Sequence, residues 1–296
     1  IRFISYLRHI ITKVAFCFKE DFIMQKITEK ITVAGHTAEL MGYTIEKKND
    51  WGVQDKHATI IICPGGGYHF VSEREADPVA LKLITMGYNA FVLNYTCQVR
   101  YPVALEQLAQ SVKLVRDNAD EWNVREDKII IMGMSAGGHL AASLGVKWNS
   151  DELKQMGYKP EEIKPNGLVL SYPVITANKD FWHQGSFEQI LGKDGIEDEK
   201  ALANQSLEKL VTKDVPPVFM WHTFEDKAVP MENSLLFASA LRKAGVSTEY
   251  HIFPHGPHGL ALANEETARV GRPEDIEPQA AQWVDLFHSW MQALLK

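Results

Sequence analysis

Lys128-Ile-Ile-Ile-Met-Gly-Met-Ser-Ala-Gly-Gly-His139 decides how this chain is read. The apolar, largely β-branched run after Lys128 predicts a strand, and the segment beginning at Ala136 carries the residues of a helix. Between the two, Gly133-Met134-Ser135-Ala136-Gly137 has the Gly-x-Ser-x-Gly form of a nucleophile elbow. A serine hydroxyl is a poor nucleophile in water, so it has to be held on a tight turn, exposed to a base and close to hydrogen-bond donors. Glycine at 133 and 137 suits such a turn, because a side chain two positions either side of the serine would collide where the backbone doubles back. The five-residue pattern alone also describes a strand ending in a Ser/Gly loop. The legible strand before it and helix after it favour a nucleophile.

Outward from the elbow the chain alternates between two textures. Apolar runs at 58–63, 90–95, 128–132, 167–172, 218–222 and 248–253 read as strands buried on both faces. Segments with helical periodicity lie between or after them, at 77–86, 103–118, 136–148, 231–244 and 278–295. Such alternation predicts a mostly parallel sheet covered by helices on both sides, in three layers. Before this, 26–33 and 38–45 alternate polar and apolar residues and predict two antiparallel strands at one edge. Residues 177–214 break the rhythm with Phe181, Trp182, His183 and Phe187 among charges, and are expected to form a small cap or a surface excursion.

Catalytic groups of such sheets sit just past the carboxyl ends of the strands, so those loops are read next. After the run ending at Cys63 comes Pro64-Gly65-Gly66-Gly67-Tyr68-His69. Three ordered glycines are entropically costly and imply close backbone approach or positive φ. Acyl transfer supplies a reason, since a tetrahedral oxyanion needs backbone N–H donors, here Gly66 or Gly67 together with Ala136. A phosphate loop is the competing reading, but the Lys-Ser/Thr ending is missing. An acid and then a histidine should follow the serine. Trp221-His222-Thr-Phe-Glu-Asp226 offers Asp226, with Glu225 as the adjacent alternative. Phe253-Pro-His255-Gly256-Pro257-His258-Gly259-Leu260 offers two histidines, of which His258, between Pro257 and Gly259, is the better placed to swing over the serine. His139, four residues past Ser135, is expected to pack behind the site.

Taken together, Cys63-Pro-Gly-Gly-Gly-Tyr68, the elbow through His139, His222-Thr-x-x-Asp226-x-x-Val-Pro230 and Gly256-Pro-His-Gly-Leu260 resemble the α/β-hydrolase esterases grouped with bacterial acetyl esterases and acetylxylan esterases. Asn94-Tyr95 and Tyr101-Pro102 with the following helix belong to the same likeness, which covers the chain from Met24 onward. One departure is Pro64, where hormone-sensitive-lipase-like esterases carry His before the glycines; it places the chain nearer the acetylesterase branch. The resemblance implies a three-layer α/β-hydrolase fold and a serine carboxylesterase with Ser135 as nucleophile, His258 as base and then acid, Asp226 as orienting carboxylate, and Gly66, Gly67 and Ala136 as oxyanion donors. It implies no metal or organic cofactor, and short acyl groups on a carbohydrate or other polar alcohol, such as acetylated xylan fragments. Tyr68 and Trp182 are candidates for touching substrate. A feruloyl-type esterase and a prolyl-oligopeptidase-like peptidase are the rival enzymes, and a non-catalytic hydrolase-like binding protein is the rival of another class.

Composition bounds these readings. A chain of 296 residues, 45% of them hydrophobic, can bury a core as one domain. The net charge of −7, without a basic cluster, argues against nucleic acid as a partner. Cys17, Cys63 and Cys97 have neither disulfide-framework nor zinc-ligand spacing, so a reducing, cytoplasmic setting is expected. No stretch reaches the roughly 18 apolar residues of a membrane span. Residues 1–23 interleave Phe3, Tyr6, Leu7 and Ile10 with Arg2, Arg8 and Lys13, and Met24 reads as a natural start. They are expected to be a leader outside the 24–296 catalytic domain, from a misplaced start or added in cloning, with an amphipathic surface-binding helix as the other reading. An oligomer is compatible with all of this.

Overall fold

Each two-sided apolar run becomes a strand because only a sheet covered by helices buries both of its faces. The computed structural model describes residues 24–46 and 56–296, so the expected leader at 1–23 lies outside the described residues. Among the described residues, β1 (Met24–Val33), β2 (His36–Ile45), β3 (His57–Cys63), β4 (Asn89–Asn94), β5 (Val124–Met134), β6 (Gly167–Ser171), β7 (Val218–Thr223) and β8 (Thr248–Phe253) form one sheet. Its order is β1-β2-β4-β3-β5-β6-β7-β8. β1–β2 is antiparallel, as the alternating N-terminal pattern predicts, and β2–β4 is antiparallel as well. All later pairings are parallel.

The pleat divides the core in two. On one face Ile61, Leu93, Ile131 and Leu170 meet helices α2 (Val103–Asp117) and α3 (Ala136–Lys147) through Leu108, Val112, Leu140 and Leu144. On the other, Ile60, Ile62, Ile130, Met132 and Val169 meet α1 (Asp77–Thr85) and α6 (Trp283–Leu294) through Val79, Leu83, Trp283 and Phe287. The same three-layer logic places α5 (Glu232–Ala244) against the first face through Phe237 and Leu241. This is the α/β-hydrolase fold.

Two expectations need correction. β8 is the edge strand, so it is only partly covered, and Ile252 is an exposed residue. The helix expected over 278–295 is two, Pro278–Ala281 and α6, joined at Gln282, whose N–H bonds the carbonyl of Gln279 only three residues back. Residues 177–214 carry α4 (Gln184–Gly195), a short helix Glu199–Ala203 and a 3-10 turn Leu207–Lys209, all between β6 and β7.

From β3 the chain passes to β4 on one side, and β5 pairs on the other. Loops leaving the carboxyl ends of β3 and β5 therefore diverge and open a crevice between them. The glycine loop and Ser135 stand at that opening.

Candidate active site

Ser135 joins β5 to α3 with φ 55° and ψ −121°, a conformation a non-glycine residue adopts only when its surroundings impose it. The imposing contacts are backbone. A Cβ on Gly137 would stand 2.0 Å from the carbonyl oxygen of Cys63, and one on Gly133 2.2 Å from that of Gly137. Only glycine at 133 lets α3 fold back this close to β5, and only glycine at 137 lets α3 approach the end of β3, and the turn so formed holds the serine side chain out.

Three groups converge there, from the ends of three separate strands. His258 Nε2 lies 2.7 Å from Ser135 Oγ, and His258 Nδ1 lies 2.6 Å from Asp226 Oδ2. With Nδ1–H donating to the carboxylate, Nε2 is left to accept the serine proton. Asp226 is buried, and its second oxygen accepts the N–H groups of Ala228 and Val229, each at 3.0 Å. Burial by itself would raise its pKa, but hydrogen bonds from His222 and His258, with their charge, outweigh burial and hold the carboxyl well below its usual range. His222 Nε2 faces two acceptors, Asp226 Oδ2 at 3.2 Å and the Val229 carbonyl at 2.9 Å, while Nδ1 faces the Ser234 hydroxyl at 2.8 Å. The Nε2–H tautomer satisfies all three, and it fixes the carboxylate from behind.

The alternatives of the sequence separate cleanly in space. His255 is on the surface, with Nδ1 3.2 Å from Glu225 Oε1, so the rejected histidine pairs with the rejected acid.

Gly66 and Gly67 both have positive φ, 119° and 66°. A Cβ on Gly66 would stand 2.1 Å from the Phe70 carbonyl oxygen, so the loop needs glycine there. Among the described residues, the N–H groups of Gly66, Gly67 and Ala136 donate to no protein acceptor. They are free to serve a ligand, and Ala136 opens α3, whose positive dipole end adds to the attraction for negative charge.

Tyr68 lies elsewhere than expected. It is buried, its hydroxyl 2.9 Å from His139 Nδ1, and His139 Nε2 is 3.1 Å from the Gln205 carbonyl. The aromatic ring follows the core side of the loop because the glycines before it take the cleft side. Trp182 is also packed inward, stacked on buried Phe187 with ring centroids 6.0 Å apart. Tyr68 is buried and Trp182 half-buried, and neither is among the residues that wall the cleft beside Ser135. His139 is buried, as expected from its place on the elbow helix. Burial drops its pKa to about 4, with the Lys147 charge adding and the Gln205 carbonyl opposing.

The cleft beside Ser135 has a volume of about 480 Å³ and is walled by Gly66, Gly67, Phe70, His183, Gln189 and His258. Residues 177–214 thus do supply part of its wall, through residues other than Trp182. Glu75 is the residue sequence reasoning missed. It is buried, its carboxylate accepting the Gly65 N–H at 2.7 Å and the Tyr172 hydroxyl at 2.8 Å. Glu73-Arg74-Glu75 reads as a solvated charge run, and no local pattern distinguishes its third member.

Cys63 and Cys97 are free thiols, and Cys17 lies outside the described residues. Among the described residues no helix is long and apolar enough to cross a membrane.

The chain is similar to several known proteins. Endo-1,4-beta-xylanase B of Butyrivibrio fibrisolvens is 38% identical over 216 residues, 71% of this chain and 34% of that protein. Acetylxylan esterase of Xylanibacter ruminicola is 32% identical over 211 residues, 69% of this chain and 41% of that protein. The chain therefore spans well under half the length of either relative. The crystal structure of an acetyl ester-xyloside bifunctional hydrolase from Caldicellulosiruptor lactoaceticus superposes with a TM-score of 0.73 at 35% identity, covering 88% of this chain and 89% of that one. Residues 50–241 match the BD-FAE family, and the chain belongs to it.

Proposed function

We propose that this chain is a serine esterase that removes short acyl groups, above all acetyl, from carbohydrates such as acetylated xylan fragments. The carrying observation is the unbroken series Ser135 Oγ to His258 Nε2 at 2.7 Å and His258 Nδ1 to Asp226 Oδ2 at 2.6 Å, beside three N–H groups without acceptors among the described residues. Ser135 Oγ attacks the ester carbonyl while His258 Nε2 takes its proton. The oxyanion forms against the N–H groups of Gly66, Gly67 and Ala136. As the tetrahedral intermediate collapses, the C–O bond to the alcohol breaks and the alcohol leaves with the proton from His258. Water then gives a proton to the same imidazole and attacks the acyl-serine, and the acid departs as Oγ is reprotonated. Asp226 stays ionised throughout and holds the imidazole in the Nδ1–H tautomer.

The acetyl and carbohydrate preference draws its support from what the relatives are named for and from the polar side chains of the cleft wall. Specificity constants on p-nitrophenyl acetate, butyrate, octanoate and palmitate, with acetate release from acetylated xylo-oligosaccharides, test it. A maximum at acetate with release from the sugars is expected. A maximum at octanoate or longer contradicts the short-acyl reading, and fast aryl acetate turnover without release from any sugar leaves a general carboxylesterase.

A further inference from the structure

His183 caps α4 with its side chain, and that bond fixes the imidazole proton. Nδ1 accepts from the Ser186 N–H at 3.3 Å and faces the Ser186 hydroxyl at 2.8 Å, so the ring carries its hydrogen on Nε2. Among the described residues no protein acceptor meets that Nε2–H. The ring lines the same cleft as Ser135 and His258. Its Cε1 is 3.7 Å from where a Cβ on Gly67 would stand, which sets it over the glycine loop. Burial, and then the neighbouring His258, lower its pKa, with Asp226 opposing, and this favours the uncharged ring. His183 therefore presents one oriented donor to whatever occupies the cleft.

We propose that His183 is a specificity-determining residue that donates Nε2–H to a free hydroxyl adjacent to the ester on the alcohol part of the substrate, so that partly acetylated sugars are selected over simple alcohol esters. The proposal rests on the esterase reading above and adds the group that reads the alcohol. The oxyanion already has three backbone donors, so a fourth is not what the position supplies. Around His183 the wall carries Ser72, His69 and Gln189, whose side-chain polar atoms have no partner among the described residues. A hydrocarbon alcohol would strip water from these groups and return nothing, whereas a sugar ring offers a hydroxyl to each. Gly185, the residue beside His183 in the wall, has no side chain to cover the imidazole.

The test is a cycle between enzyme and substrate. Specificity constants are measured for the wild type and His183→Asn on a monoacetylated methyl xyloside with a free vicinal hydroxyl and on its vicinal-deoxy counterpart. Asparagine is a strong helix cap, so α4 keeps its start, but its side chain is too short to reach the substrate. The wild type should prefer the hydroxyl-bearing ester by roughly five- to tenfold, and the variant should lose most of that preference, chiefly through KM. If His183→Asn melts early, His183→Ser, which also caps a helix and is likewise too short to reach the substrate, takes its place. An equal loss on both esters, or a preference that survives the substitution, overturns the proposal. Turnover of p-nitrophenyl acetate by the wild type reads the esterase assignment separately, because that ester has no such hydroxyl. No turnover there refutes the assignment; turnover there without preference between the xylosides refutes the role of His183 alone.

Discussion

Glu75 accepts the N–H of Gly65 at 2.7 Å, and through this bond a buried carboxylate sets the start of the loop that carries Gly66 and Gly67. Its other oxygen takes the Tyr172 hydroxyl at 2.8 Å, and the Tyr172 ring lies edge-on to His258 with centroids 5.1 Å apart. One side chain thus supports both the glycine loop and the imidazole. Glu75→Ala leaves two buried donors unpaired, at a cost of about 1–3 kcal/mol each. Melting should fall by several degrees and kcat by about ten- to a hundredfold, with KM moving much less, because the displaced donors act on the developing oxyanion. Unchanged kcat with unchanged melting temperature would show that the loop holds its own shape.

His258→Ala should reduce turnover by on the order of 10⁴-fold, and His255→Ala by less than about threefold, since the first touches Ser135 and the second only Glu225 on the surface. Asp226→Asn should cripple turnover as well, because an amide presents a donor where the Nδ1–H needs an acceptor. Glu225→Gln should not. Steady-state kinetics on one acetyl ester decides all four, and comparable losses in the two histidine variants would contradict the assignment.

Stability should respond to pH through His139. Folded, its pKa is about 4, against 6.5 for an ordinary histidine. Between these values the unfolded chain binds the proton and the folded chain does not, so stability is fully present above about 6.5 and is lost as pH falls towards 4. Chemical denaturation from pH 7 to pH 4 should show His139→Gln with a shallower dependence than the wild type, by up to about 1.4 kcal/mol per pH unit. Parallel curves for the two proteins would place the acid sensitivity in other groups.

What was legible in the sequence follows from the range of the interactions involved. The parallel strands and flanking helices rest on periodicity, which is local, and the structure reproduces them to within a few residues. Ser135, Asp226 and His258 each follow a strand, and the sheet brings those strand ends together, so order along the chain was enough to nominate them. The inward turn of Tyr68 and Trp182 was not legible, because an aromatic beside a glycine loop looks the same whichever side it packs. Nor was Glu75, whose partners are Gly65 and Tyr172, the second almost a hundred residues away and brought near only by the sheet order.

The central claim is that Ser135 is the nucleophile, and active-site titration with a fluorophosphonate tests it most directly. Intact mass should show one adduct per chain, peptide mapping should place it on Ser135, and loss of esterase activity should track labelling one to one. Ser135→Ala should take up no label and turn over acetyl esters at least about 10⁴-fold more slowly while melting as the wild type does. A folded Ser135→Ala protein that keeps more than a tenth of the activity, or a stoichiometric adduct on another residue, would contradict the account.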